Sequence, residues 1–300
     1  MDLGQTLLLW SALPTPLTPE RTVDVESVGR LIRATIESGV TGVFLGGTCG
    51  EGPWLTDGER ARLVEAAAAA AQGRLKLAAQ VSDNSVPRVR DNVRRMAAAG
   101  ADIAIVASPA TFLNATPDRV VEFFVEAAQT SELPVGIYDL GLLRPFSIPV
   151  ERLAEVYRLP TVCLVKDSSG ESARRDVALA VRRERPELML FNGDEFRCLE
   201  YLEVGYPGMM FGGAIAIAPQ MQRIAELMQA GRGDDAREAD AAMRERLWGI
   251  YGGAAITCWL TGLKHYLVRR GLFVSSTSFL DFPLTAECRD YIETLVKSTE

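Results

Sequence analysis

Short, mostly uncharged runs rich in β-favouring residues alternate along this chain with longer segments whose apolar positions recur three and four residues apart. The strand-like runs are Leu7 to Ala12, Gly42 to Leu45, Leu75 to Val81, Ile103 to Ala107, Val135 to Tyr138, Val162 to Lys166, Leu188 to Phe191 and Gly208 to Phe211. Amphipathic segments separate them: Val25 to Ser38, Asp57 to Gln72, Val86 to Ala99, Pro117 to Thr130, Val150 to Arg158, Ser172 to Arg185 and Glu195 to Val204. Thr56-Asp57-Gly58-Glu59 and Thr116-Pro117-Asp118 carry helix start signals, with acids or a proline in the first turn. Eight strand-helix units in succession predict an α/β fold, a (β/α)8 barrel of the TIM type, over an open doubly wound sheet.

Gln220 to Ala230 reads as the closing barrel helix, and the turn Gly231-Arg232-Gly233-Asp234-Asp235 leads into helical sequence only. Ala236 to Trp248, Ala255 to Arg270 and Thr285 to Lys297 form a C-terminal appendage of three helices. The expected division is a barrel catalytic domain over residues 1–230 and a helical region over 231–300, packed on the barrel and on a neighbouring subunit. The alanine run from Ala66 to Ala71 falls inside a helical period and reads as a closely packed helix.

At 300 residues and 48% apolar, the chain can bury a full core. Its formal charge of -7, with arginines dispersed among acids, argues against a nucleic-acid surface. Five cysteines, odd in number and without a C-x-x-C pair, suit a reducing cytoplasm and disfavour zinc or a disulfide framework. Met1-Asp2-Leu3-Gly4 lacks the basic start of an export signal, the run Leu7 to Leu9 is short, and no stretch approaches the about 18 apolar residues of a membrane span. A cytoplasmic location with no membrane partner is expected. A single histidine, His265, excludes a histidine triad or a multi-histidine metal site.

Chemistry concentrates where strands of such a barrel end. Val162-Cys163-Leu164-Val165-Lys166-Asp167-Ser168-Ser169-Gly170 delivers a lysine from a buried strand into a polar turn. Burial disfavours an unpaired ammonium, so Lys166 either pairs with Asp167 or Glu51 or serves as a nucleophilic amine. After the second strand, Gly46-Gly47-Thr48-Cys49-Gly50-Glu51-Gly52 can turn successive amides toward one point and hold a carboxylate. The fifth strand ends in Tyr138, and the eighth runs into Gly212-Gly213-Ala214-Ile215, small enough to admit a ligand. An amine, a phenol, a hydroxyl and an anion loop at one mouth are the parts for imine chemistry on a 2-oxo acid. Lys166, Tyr138 and Thr48 are the catalytic candidates; Gly47, Cys49, Gly50, Gly213 and Ile215 are the substrate-binding ones. The protonated imine is itself the electron sink, so neither metal nor organic cofactor is expected. A competing reading is a hydrolase using Glu51 with Asp167 or Glu195.

Gly47-Thr48-Cys49-Gly50-Glu51, Tyr138 and Val165-Lys166-Asp167-Ser168-Ser169-Gly170, with Pro14-Thr15-Pro16, Ser108-Pro109 and Gly193-Asp194-Glu195, resemble the dihydrodipicolinate synthase/N-acetylneuraminate lyase family over nearly the whole chain. The resemblance implies a barrel with Lys166 as Schiff-base lysine, Tyr138 as proton shuttle and Thr48 as relay, in a homotetramer or homodimer. It implies a lyase acting on pyruvate or a 2-keto-3-deoxy acid by aldol cleavage, condensation or dehydration. The alternatives are dihydrodipicolinate synthase proper, joining pyruvate to aspartate semialdehyde, and an impaired homologue that only binds a 2-oxo acid. Three departures bear on the choice. Cys49 stands where a second hydroxyl is usual, Ala110-Thr111-Phe112 lacks the relay tyrosine that crosses a dimer interface, and Arg144 sits about one position late for an aldehyde carboxylate. Asp57 or Arg60, and Arg88, occupy the usual regulatory histidine and glutamate positions, so lysine feedback is not expected.

Overall fold

The computed structural model describes residues 7–298; Met1-Asp2-Leu3-Gly4, on which part of the export argument rests, lies outside them. Eight strands, β1 (Leu8–Ala12), β2 (Gly42–Leu45), β3 (Lys76–Gln80), β4 (Ile103–Ala107), β5 (Val135–Asp139), β6 (Val162–Asp167), β7 (Met189–Asn192) and β8 (Gly208–Phe211), close into a barrel in sequence order. Every neighbouring pair is parallel, and β8 returns to β1. The eight barrel helices are α1 (Val25–Glu37), α2 (Asp57–Ala71), α3 (Val86–Ala98), α4 (Pro117–Gln129), α5 (Leu153–Tyr157), α6 (Ser172–Glu184), α7 (Cys198–Glu203) and α8 (Ala214–Gln229). Then come α9 (Gly233–Tyr251), α10 (Trp259–Arg269) and α11 (Ala286–Lys297); α9 lies along α8, and α10 and α11 pack on α9. The start signals act as read: the Thr56 and Thr116 side chains accept from the amides of Glu59 and Arg119.

Several boundaries move for local reasons. Asp194 accepts from the Phe196 amide and holds Glu195–Arg197 as a 3-10 turn, so α7 starts at Cys198 and not at Glu195. Val150–Arg152 likewise forms a 3-10 turn ahead of a short α5. The left-handed conformations of Gly252, Gly253 and Ile256 (φ 79°, 96° and 46°) keep the chain from entering α10 at Ala255. The glycine-containing segment after β8 winds directly into α8 from Ala214, six residues ahead of the expected start, and takes Pro219 into its second turn.

Two apolar layers result. Leucines, valines and alanines of the outward strand faces pack under the helices, with Ala67 and Ala71 of the alanine run buried there. A separate inner cluster fills the barrel: Trp10, Phe44, Ala78, Ile105, Tyr138, Leu164, Phe191 and Met210. Rings this large fit because glycines face them. Gly42 lies in register with Trp10, and Gly208 with Phe191; a Cβ on either would overlap the ring. Gly42→Val is therefore expected to destabilise the barrel by roughly 2–3 kcal/mol, read as a lower urea midpoint with an unchanged slope. An unchanged midpoint would show that the indole relocates freely.

Candidate active site

The site begins with strand alternation. β5 ends in Tyr138-Asp139 and β6 in Lys166-Asp167, and the two pairs lie side by side in register. Successive side chains of a strand face opposite ways. Tyr138 joins the inner cluster, and Lys166, 4% exposed, brings its ammonium to 4.5 Å from the Tyr138 ring centroid and 5.3 Å from that of Phe44. Asp139 and Asp167 turn outward. Asp139 receives Arg174 through both carboxylate oxygens at 2.9 Å, the Tyr157 hydroxyl at 2.8 Å and the Gly141 amide at 2.9 Å. Asp167 receives the Tyr206 hydroxyl at 2.8 Å and Ser169 through both amide and hydroxyl. Burial, and then the adjacent carboxylates, push both phenols well above their ordinary range, so Tyr157 and Tyr206 remain donors.

Neither proposed counter-ion reaches Lys166: Asp167 is committed as above, and Glu51 is bound elsewhere. Gly193 passes close to the lysine stem, where a Cβ would stand 2.7 Å from Lys166 Cε and overlap Ser168 Oγ. That hydroxyl is buried and has no hydrogen-bond partner among the described residues.

The loop from Gly46 to Gly52 coils on itself, with Gly46 and Glu51 in the left-handed region (φ 68° and 55°). For Glu51 that conformation costs about 1–2 kcal/mol. Its side chain supplies the compensation: fully buried, it binds the Lys264 ammonium, the Ser278 hydroxyl at 2.8 Å and the Phe279 amide at 2.6 Å. Thr15 fastens the same loop by donating to the Gly50 carbonyl. Gly47 and Gly50 are glycines for space, since a Cβ would stand 2.6 Å from the Phe44 ring or 2.8 Å from the Gly46 nitrogen. The amides of Thr48, Cys49 and Gly50 donate to no described residue, which leaves three N–H groups in a compact turn for an anion.

Thr48 and Tyr138 meet on the wall of one cavity of about 470 Å³ that opens outward past Gln80, Ser82, Ser108 and Arg144. Lys166 is not on that wall; it stands against Tyr138, which is. The five expected substrate-binding residues also lie off it, Gly47 and Gly50 being buried in the loop on either side of Thr48. Cys49 is buried with its thiol 3.9 Å from the Gly212 carbonyl, and burial, followed by the Glu195 charge, pushes it up to about 12, so it stays a thiol. Gly213 donates its amide to Glu195 at 2.8 Å, and Ile215 packs against the outer core in the first turn of α8. Glu195 itself takes a second bond from the Tyr251 hydroxyl at 2.8 Å, and burial raises its carboxyl above the usual range. Gln80 and Ser82 carried no signal strong enough to single them out in advance. The late position of Arg144 is absorbed by the 3-10 turn Gly141–Leu143, which still brings it to the cavity. Among the described residues no cluster of His, Cys, Asp or Glu could hold a metal ion, and no helix is long and apolar enough to cross a membrane.

The sequence model of the dihydrodipicolinate synthetase family matches residues 6–299. The chain belongs to that family. Among its relatives, 4-hydroxy-tetrahydrodipicolinate synthase 2 of Halalkalibacterium halodurans is 25% identical over 298 residues, covering 99% of this chain and 98% of the relative. The dihydrodipicolinate synthase of Bacteroides thetaiotaomicron superposes with a TM-score of 0.87 at 23% identity, covering 97% and 98% of the two chains. A prophage protein of the dihydrodipicolinic acid synthase family from E. coli K12, solved in complex with pyruvate, gives 0.85 at 18% identity over 97% and 98%. Members of the family are pyruvate-dependent class I aldolase lyases and synthases, and the chain is a lyase of this class.

Within the dihydrodipicolinate synthetase family frame the two-carboxylate hydrolase loses its parts. Glu51 is consumed by Lys264 and Ser278, and Asp167 faces Tyr206 on the outer side of the barrel. Removing one partner of a buried pair strands the other. Glu51→Gln is expected to lower stability by about 3–5 kcal/mol, and Glu51→Gln with Lys264→Met to recover part of that loss, both measured by chemical denaturation. Equal losses in the single and double variants would mean that the two groups do not act as a pair.

Proposed function

We propose that this lyase forms a Schiff base through Lys166 with a 2-oxo acid, and cleaves or builds its C3–C4 bond or eliminates water. The carrying observation is the register pair of Tyr138 and Lys166, which sets a buried amine, in no ion pair among the described residues, 4.5 Å from a phenol ring at the cavity. The amine attacks the ketone carbon, and Tyr138 protonates the departing hydroxyl so that water leaves and the iminium forms. For a 4-hydroxy-2-oxo acid, loss of the hydroxyl proton breaks the C3–C4 bond; the aldehyde departs and the electron pair enters the enamine. Protonation at C3 and hydrolysis of the imine return pyruvate and the free amine. Thr48 relays protons at the Tyr138 end of the cavity, and the amides of Thr48, Cys49 and Gly50 hold the carboxylate.

The far wall favours a sugar-acid type of substrate, since it is lined by Gln80, Ser82, Asn84, Ser108 and Arg144 and offers no phenol at Ala110. Dihydrodipicolinate synthase proper is the second reading, favoured by the Halalkalibacterium relative, a 4-hydroxy-tetrahydrodipicolinate synthase, and by Arg144, whose guanidinium has no ion-pair partner among the described residues and can take a second carboxylate.

Incubation with pyruvate and borohydride is expected to add a three-carbon adduct to the Lys166 peptide, absent in Lys166→Ala, by mass spectrometry. No adduct with pyruvate or any longer 2-oxo acid would overturn the mechanism, while adduct formation without turnover on any 2-keto-3-deoxy acid would favour the impaired homologue. Tyr138→Phe is expected to lower kcat by roughly 10²–10⁴ with a smaller change in KM.

We read the working form as a homodimer or homotetramer in the cytoplasm. Leu113, Leu142 and Leu143, 84%, 80% and 70% exposed, cluster on the β4–α4 and β5–α5 loops at the site end of the barrel, and all five cysteines are free. Sedimentation is expected to give a multiple of the 32.7 kDa chain mass that Leu113→Asp with Leu142→Asp reduces; a monomer in the unsubstituted protein would refute the assembly.

A further inference from the structure

We infer that Gln80 is a specificity-determining residue that reads a hydroxyl on the substrate beyond the reacting carbons, so that this lyase discriminates for a polyhydroxylated 2-oxo acid. The inference rests on the imine reading above and names the substrate class of the same site.

Gln80 is the last residue of β3 and follows Ala78 at the strand period of two, which points it into the barrel above the inner cluster. It pairs in register with Ile105, another interior residue. It is only 8% exposed, its Oε1 is shielded and has no hydrogen-bond partner among the described residues, and yet it lies on the wall of the cavity that Tyr138 and Thr48 share. A buried carboxamide without a partner is unusual, because the fold normally satisfies such groups or excludes them. Nothing in the barrel requires a polar residue here; the neighbouring interior positions are Ala78, Ile105 and Ala107.

The chemistry of the missing partner follows from the group. A carboxamide presents an acceptor and donors side by side, and no bond within the protein fixes which end faces the cavity. A carboxylate would satisfy only the amide nitrogen and leave the oxygen unpaired. A hydroxyl can donate to the oxygen or accept from the nitrogen, and so satisfies either orientation. Ser82, nearby on the same wall, accepts from the Ala107 amide at 2.7 Å and keeps its own proton for a second hydroxyl.

The test compares two substrates that share the reacting atoms: a six-carbon 2-keto-3-deoxy acid with hydroxyls at C4, C5 and C6, and 4-hydroxy-2-oxohexanoate, which lacks the last two. Pyruvate trapping counts competent sites, so kcat/KM is expressed per active lysine in the unsubstituted protein, Gln80→Leu and Gln80→Met. The ratio of kcat/KM for the polyol over the dideoxy substrate is expected to fall roughly tenfold to a hundredfold in both variants, with the loss confined to the polyol. An unchanged ratio, or equal losses on both substrates, would overturn the role of Gln80 while leaving the imine chemistry standing. Absence of any trapped adduct in the unsubstituted protein would instead overturn the imine reading, and this inference with it.

Discussion

The glycine loop at the barrel mouth keeps its shape because a carboxylate with no access to water, Glu51, meets an ammonium with none, Lys264. Two such groups are stable only together, since burial alone drives the lysine toward its neutral form and the facing carboxylate draws it back. The pair joins residues 213 positions apart, so the loop that offers free amides to an anion is held from the C-terminal helices and not from its own strand. The helical tail is in that sense part of the site. It supplies Lys264, Ser278 and the Phe279 amide to the loop and Tyr251 to Glu195.

The second constraint is the alternation at the ends of β5 and β6. Inward positions carry Tyr138 and Lys166, and the next residues outward carry Asp139 and Asp167, each locked by a tyrosine hydroxyl, with Arg174 adding a bidentate grip on Asp139. These outer bonds hold the two strand ends in the register that sets the Lys166 nitrogen 4.5 Å from the Tyr138 ring centroid. Strand alternation sends Asp167 outward to Tyr206 and leaves Lys166 against aromatic rings, in no ion pair among the described residues.

Much of this was legible from residue order. Eight apolar runs with helical spacers define a closed parallel barrel, with Tyr138 and Lys166 at the ends of β5 and β6 and Thr48 in the loop after β2. What escaped is of another kind. Glu51 read as a catalytic acid, or a partner of Lys166, until Lys264 was seen against it; no local pattern announces a partner more than two hundred residues away. Gly212 and Gly213 read as room for a ligand, whereas Gly213 makes room for Leu247 and Tyr251 and gives its amide to Glu195. Gln80 ends a strand of unremarkable composition, and its interest lies wholly in having no partner once the barrel has closed.

The split of duties between adjacent residues at these strand ends also bears on how such a barrel can change over evolutionary time. Outward Asp139 and Asp167 secure the scaffold without touching the cavity, and inward Tyr138 and Lys166 face the cavity side without an ion pair that the scaffold needs. A gene copy that exchanged Lys166 would therefore keep every outward bond of these two strand ends. On the reading of Lys166 proposed above, a lineage built on this architecture can change that position without touching the ion pair and hydroxyl bonds that hold the strand ends.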